Sequence, residues 1–149
     1  MSEPVILLVE DKSSDEELTL RALKKANTAN EVIVARDGAD ALDYLFARGP
    51  HVGRDLAKVP QVVLLDLNLP KLGGLEVLRA IRADERTKLL PVVILTSSKE
   101  DRDLAGGYGL GVNSYIVKPV DFTQFSEAVR QVGLYWLILN QPPPLGAIP

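Results

Sequence analysis

Val62-Val63-Leu64-Leu65-Asp66-Leu67-Asn68-Leu69-Pro70 is a short apolar run that ends on a carboxylate and passes at once into a turn. An apolar run without polar alternation predicts a strand buried on both faces, which belongs in a parallel sheet covered by helices. A carboxylate at the C-terminal end of such a strand lies where open α/β sheets keep their ligand crevices.

The same pattern recurs on either side. Pro4-Val5-Ile6-Leu7-Leu8-Val9 ends in Glu10-Asp11. Glu31-Val32-Ile33-Val34-Ala35 ends in the turn Arg36-Asp37-Gly38. Val92-Val93-Ile94-Leu95, opened by Pro91, ends in Thr96-Ser97-Ser98. Asn113-Ser114-Tyr115-Ile116-Val117 ends at Lys118-Pro119.

Helical periodicity fills the intervals. Asp15 to Ala26 places Leu18, Ala22 and Ala26 inward with Leu23 beside them, and acidic residues occupy its first turn, as the helix dipole favours. Ala39 to Phe46 has Ala41, Leu42, Leu45 and Phe46 as apolar positions. Leu75 to Ala83 turns Leu75, Leu78 and Ile81 inward and Glu76, Arg79 and Arg82 outward. Lys99 to Leu110 is expected to be helical but carries Gly106, Gly107 and Gly109, each costing roughly 1 kcal/mol relative to alanine, so it is the loosest helix expected. A last helix starts after Asp121, with Phe122, Phe125, Val129, Val132 and Trp136 as its stripe. Strands alternating with helices predict a parallel sheet with helices on both faces and right-handed crossovers. The long connection Ala47 to Pro60 holds His51, the single histidine, which is expected to be solvated.

At 149 residues the chain suits one α/β domain with a substantial core. We expect that domain over residues 4–140 and a Pro-rich, extended or disordered tail over 141–149. The formal charge of −3 argues against a nucleic-acid-binding face. The absence of cysteine excludes disulfides, thiolate metal sites and thiol nucleophiles. No secretory signal pattern opens the chain and no apolar stretch is long enough for a bilayer, so a cytoplasmic protein without membrane attachment is expected.

In a parallel sheet all C-terminal strand ends share one edge. Glu10-Asp11, Asp66, Thr96 and Lys118 are therefore expected to meet in one crevice. Clustered carboxylates repel, and a hard cation such as Mg²⁺ relieves that repulsion. A carboxylate there can also act as a nucleophile and form an aspartyl phosphate. Taken separately, each of these residues could equally be a polar cap on a strand.

As a set they resemble the receiver domain of bacterial two-component response regulators. Glu10-Asp11, Asp66, Asn68-Leu69-Pro70 with Gly74, Thr96 and Lys118-Pro119 match that family's pattern in order and interval, from Val5 to about Val132. The resemblance implies a flavodoxin-like (βα)5 fold, a doubly wound parallel five-stranded sheet in order 2-1-3-4-5. It implies Asp66 as phosphoacceptor from a phosphohistidine on a sensor histidine kinase. It also implies Asp11 as the main Mg²⁺ ligand, helped by Glu10 and Asp66 and by the backbone carbonyl of Asn68. Lys118 would pair with Asp66, Thr96 would be the switch hydroxyl, and Tyr115 the aromatic that follows it. Ser97 is small, as access to Asp66 requires. Asn68 and Ser98 occupy the family's variable positions that modulate phosphoryl loss.

The long Ala47–Pro60 connection and the Leu134–Pro144 ending are similar to the stand-alone regulators that partner bacterial phytochromes. This implies a bacteriophytochrome as upstream partner and a homodimer through the last helix. There Leu134, Tyr135, Trp136, Leu137 and Ile138 are apolar all round, a plausible interface patch. The same residues could instead fold back on their own domain.

Two other readings bear on the same residues. A Mg²⁺-dependent phosphatase with an aspartate nucleophile would need a second aspartate shortly after it, and Asn68 stands there instead; nor is there a cap domain. No enzyme beyond self-directed phosphorylation and dephosphorylation is therefore expected. A degenerate receiver acting as a phosphorylation-independent interaction module is the alternative, which the intact set Asp11, Asp66, Thr96 and Lys118 disfavours. No output domain follows the last helix, so the signal is expected to pass by protein contact.

Overall fold

The computed structural model describes residues 5–25, 31–56, 59–69, 72–96, 111–112, 114–117 and 123. Five parallel strands form one sheet: β1 (Val5–Val9), β2 (Glu31–Ala35), β3 (Val62–Asp66), β4 (Val92–Thr96) and β5 (Ser114–Val117), in the order β2-β1-β3-β4-β5. This is the flavodoxin-like order the resemblance implied. Three α-helices are described: α1 (Ser13–Lys25), α2 (Gly38–Leu45) and α3 (Gly74–Ala83). The expected helices over 99–110 and beyond Asp121, the residues Ser97, Ser98, Lys118 and Pro119, the Leu134–Ile138 patch and the tail lie outside the described residues, apart from helical Thr123. None of the described helices is long and apolar enough to cross a membrane.

Strand alternation divides the core in two. Leu7, Val9, Val63, Leu65, Val92 and Ile94 face α2 and α3 on one side. Ile6, Leu8, Val62, Leu64, Val93 and Leu95 face Ala22 and Leu23 of α1 on the other. Every residue of β3 and β4 is buried, which is why these segments read as unbroken apolar runs. β2 is an edge strand, and its side chains are less buried than those of the inner strands.

Local chemistry sets the helix ends. Asp15 and Glu16 lie in the first turn of α1 and Lys24 and Lys25 in its last, each sign matching the adjacent helix pole. Asp37 caps α2: its Oδ1 accepts from the Asp40 amide at 2.7 Å. The inner face of α1 is rotated from the expected one. Thr19 is buried and Leu18 only half-buried, so the packed stripe is Thr19, Ala22 and Leu23.

Arg82, expected to point outward, is partly buried beneath the loop that follows α3. Its guanidinium donates to the carbonyls of Lys88, Leu90 and Gly111. Burial lowers the pKa of this group. Thr87 closes the same loop by donating its hydroxyl to the Ile81 carbonyl at 2.7 Å.

His51 is not merely solvated. It ends a 3-10 turn (Gly49–His51) that doubles back along α2, and its Nε2 lies 2.8 Å from Asp40 Oδ1.

Leu64 is fully buried at the centre of the second cluster, whereas Leu89 is exposed. Leu64→Ala is expected to lower stability by about 2–5 kcal/mol, because a cavity remains where packing cannot collapse. Leu89→Ala should stay within about 0.5 kcal/mol of the parent. Urea unfolding of both variants checks this, and equal midpoints would contradict the burial assigned to β3.

Candidate functional site

Register brings the expected residues together. Val9 pairs with Leu65, so Glu10 follows it at the level of Asp66. Asp66 pairs with Leu95, and Thr96 comes one residue later, opposite Val117. The Glu10 amide donates to the Ala35 carbonyl at 2.9 Å, which carries the edge contact one residue beyond the paired strands. Glu10, Asp66 and Thr96 are all fully buried. Asp11 lies partly exposed at the mouth, and Asn68 is exposed beyond it.

One carboxylate oxygen each from Glu10, Asp11 and Asp66 lies within 4.8 Å of the others. Two of these carboxylates are held by the backbone that follows them. Glu10 Oε1 accepts from the Lys12 amide at 3.3 Å, and Asp66 Oδ1 accepts from the Asn68 amide at 3.0 Å. Such short turns fix the carboxylate rotamers and leave the second oxygens, Glu10 Oε2 and Asp66 Oδ2, buried in the same crevice. Asp11 Oδ1 is also buried, and it has no hydrogen-bond partner.

Buried carboxylates are costly, and three of them side by side add mutual repulsion. A small divalent cation answers both problems at once. The donor set is all oxygen, which suits a hard ion such as Mg²⁺ and not one that prefers nitrogen or sulfur. The described residues therefore fit a metal centre made of Glu10, Asp11 and Asp66.

The site has a rigid floor. The first residue of α3, Gly74, lies directly against the Asp66–Leu67 peptide, and its amide donates to the Leu67 carbonyl at 3.2 Å. A Cβ at position 74 would come within 2.5 Å of the Asp66 carbonyl oxygen and 2.6 Å of Leu67 Cα. Only a hydrogen fits there. Gly38, at the start of α2, is similarly closed in by the backbone carbonyl of Leu72 and by Val77 Cγ2. Both helices thus press their first residue on the connection between β3 and α3.

Tyr115 packs against the first core cluster and is half-buried. Its register partner on β4 is Ile94, two residues before Thr96. Sequence reasoning placed Glu10, Asp11, Asp66, Asn68, Thr96 and Tyr115 in this neighbourhood, and it singled out Gly74. It gave Gly38 no role beyond a turn, because the fit of Gly38 against Leu72 joins two segments distant in sequence.

The family model for the response regulator receiver domain matches residues 6–130. The probable methanogenesis regulatory protein FilR2 of Methanothrix harundinacea is 42% identical over 139 residues, 93% of this chain and 87% of that protein. The solved structure of bacteriophytochrome response regulator RtBRR is 52% identical with a TM-score of 0.85, covering 96% of this chain and 86% of that one. The Mn²⁺-bound form of response regulator Rcp1 is 36% identical with a TM-score of 0.76, covering 95% of this chain and 99% of that one.

Gly74→Ala is expected to cost about 1–3 kcal/mol despite alanine's better helix propensity, because the new methyl meets backbone and not a movable side chain. Gly73→Ala is the control, since a Cβ there meets nothing within 4 Å. Urea midpoints and Mg²⁺ titrations of the two variants should separate, with Gly74→Ala weaker in both. Equal behaviour of the pair would remove the tight floor from the account.

Proposed function

The chain belongs to the response regulator receiver domain family, and on that premise we propose that it is a stand-alone response regulator taking a phosphoryl group onto Asp66. The observation that carries this reading is the convergence of Glu10, Asp11 and Asp66 within 4.8 Å, with Asp66 at the end of a wholly buried strand.

In this mechanism an Asp66 carboxylate oxygen attacks phosphorus on a phosphohistidine of a sensor histidine kinase. The phosphorus–nitrogen bond breaks, the imidazole leaves with the electron pair, and an acyl phosphate remains on Asp66. Glu10, Asp11 and Asp66 would hold Mg²⁺, with the Asn68 backbone carbonyl as a further ligand. When bound, the ion offsets the charge gathered on the carboxylates and the phosphoryl oxygens. The Asn68 amide orients Asp66 through its Oδ1. Thr96 and Tyr115 form the switch pair. Lys118 is the cation assigned to Asp66 by the family pattern.

The similarity to the bacteriophytochrome response regulator RtBRR supports a bacteriophytochrome as the kinase. A cytoplasmic homodimer through Leu134, Tyr135, Trp136, Leu137 and Ile138 completes the proposal and rests on the apolar sequence there. The chemistry is self-directed: phosphorylation biases a two-state surface, and the signal passes by protein contact.

The test is incubation with acetyl phosphate, with and without Mg²⁺, followed by intact mass beside Asp66→Asn. A single Mg²⁺-dependent phosphoryl addition, absent from Asp66→Asn, is expected. No addition under any of these conditions would favour a phosphorylation-independent interaction module instead.

A further inference from the structure

The segment after α2 is built as a strap. Ala47 has φ +53°, Gly49 φ +55° and Gly53 φ +93°, so the chain turns through the left-handed region three times in a short span. Ala47 pays a steric cost for this that glycine would not. What the turns achieve is a return along α2. His51 Nε2 lies 2.8 Å from Asp40 Oδ1 in the first turn of the helix. The His51 ring meets the Tyr44 ring edge-on at 5.3 Å. Arg54 then closes the other end. It donates to the Tyr44 and Leu45 carbonyls at 2.6 and 2.9 Å and lies over the Tyr44 ring at 4.4 Å.

α2 has only eight residues and is too short to hold its own position by helix formation alone. Its placement depends on what grips it. The strap grips both ends, and the gripped N-terminus is the one that lies against Leu72 in the β3–α3 connection. Asp40 donates its amide to Asp37, the cap of α2, and the next residue, Gly38, abuts the Leu72 carbonyl in the connection that carries Asn68.

We propose that this strap positions the β3–α3 connection at the phosphoacceptor site, with His51 as the positioning residue acting through Asp40 and Gly38. The inference rests on the reading of Asp66 as phosphoacceptor and deepens it by naming a regulator of that site. His51 touches neither metal nor phosphoryl group. Its contact with the Asp40 carboxylate is the link that ties the first turn of α2 to the strap.

Beside Asp40, the His51 ring meets Tyr44, and its backbone bonds to Arg48 and Arg54. Burial raises the Tyr44 pKa, which keeps its phenol neutral. Arg48 pairs with Asp43 at 3.5 Å, and Asp37 is engaged with the helix amide. Asp40 is the carboxylate that the His51 ring meets directly.

The experiment uses the full chain without metal. Nitrogen-15 amide spectra are recorded for the parent, His51→Gln, Asp40→Asn and the double variant. The amides of Asn68, Leu72 and Gly73 should leave their parent positions in each single variant, with no further displacement in the double variant. The Mg²⁺ dissociation constant should rise by about two- to fivefold in either single variant, again with no further change in the double variant. A purely structural role would shift the urea midpoint and leave these amides and the Mg²⁺ affinity at their parent values, and that result overturns the inference. If the parent accepts no phosphoryl group, the reading of Asp66 fails on its own experiment, while the metal-free amides still decide whether the strap reaches the loop.

Discussion

Three carboxylates placed side by side at the edge of an apolar sheet are the constraint on which this molecule is built. Glu10 and Asp66 are fully buried, and Asp11 keeps one oxygen out of water. Left alone, such a group of charges would oppose folding. It is tolerated because the sheet is parallel and in register, so the cost falls at one edge while the strands below are packed on both faces. The family's metal-dependent phosphoryl chemistry gives that cost a purpose, since a divalent cation is most useful where carboxylates are already forced together.

The frame around the site is packed differently on its two sides. Asp66 emerges from a strand without an exposed residue, and Gly74 closes against the peptide that follows it. The connection beyond it meets the first residue of a short helix, which is itself held by the His51–Asp40 contact. In the proposed function, close packing behind Asp66 would fix the acceptor geometry for transfer.

Much of this was legible in the sequence, for a definite reason. Buried parallel strands are apolar on both faces, so Val62–Leu65 and Val92–Leu95 stand out as unbroken runs, and the first polar residue after each marks the functional edge. Once the strands are placed, Glu10, Asp66 and Thr96 must share that edge. What escaped was fixed by contacts between segments. Thr19 displaced Leu18 from the buried stripe because the rotation of α1 is set by the sheet beneath it and not by helical spacing. Arg82 sits on an outward position by periodicity, yet the following loop supplies two carbonyls to it and Gly111, ahead of β5, a third. His51 reaches Asp40 only because Ala47 adopts a left-handed conformation that its sequence context does not announce.

The long connection between α2 and β3 also shows why an insertion can matter without touching the chemistry. Its added residues cost little loop entropy, since closure cost grows slowly with length. Its benefit depends on where it folds. Had it extended into solvent, α2 would rest on its packing against α3 and the sheet alone. By returning along α2 it adds the His51 and Arg54 contacts to the helix whose first residue bears on the β3–α3 connection. The strength of that grip is limited by its partial exposure. In the proposed scheme phosphorylation of Asp66 is the switch, and the strap would set the balance from which it starts.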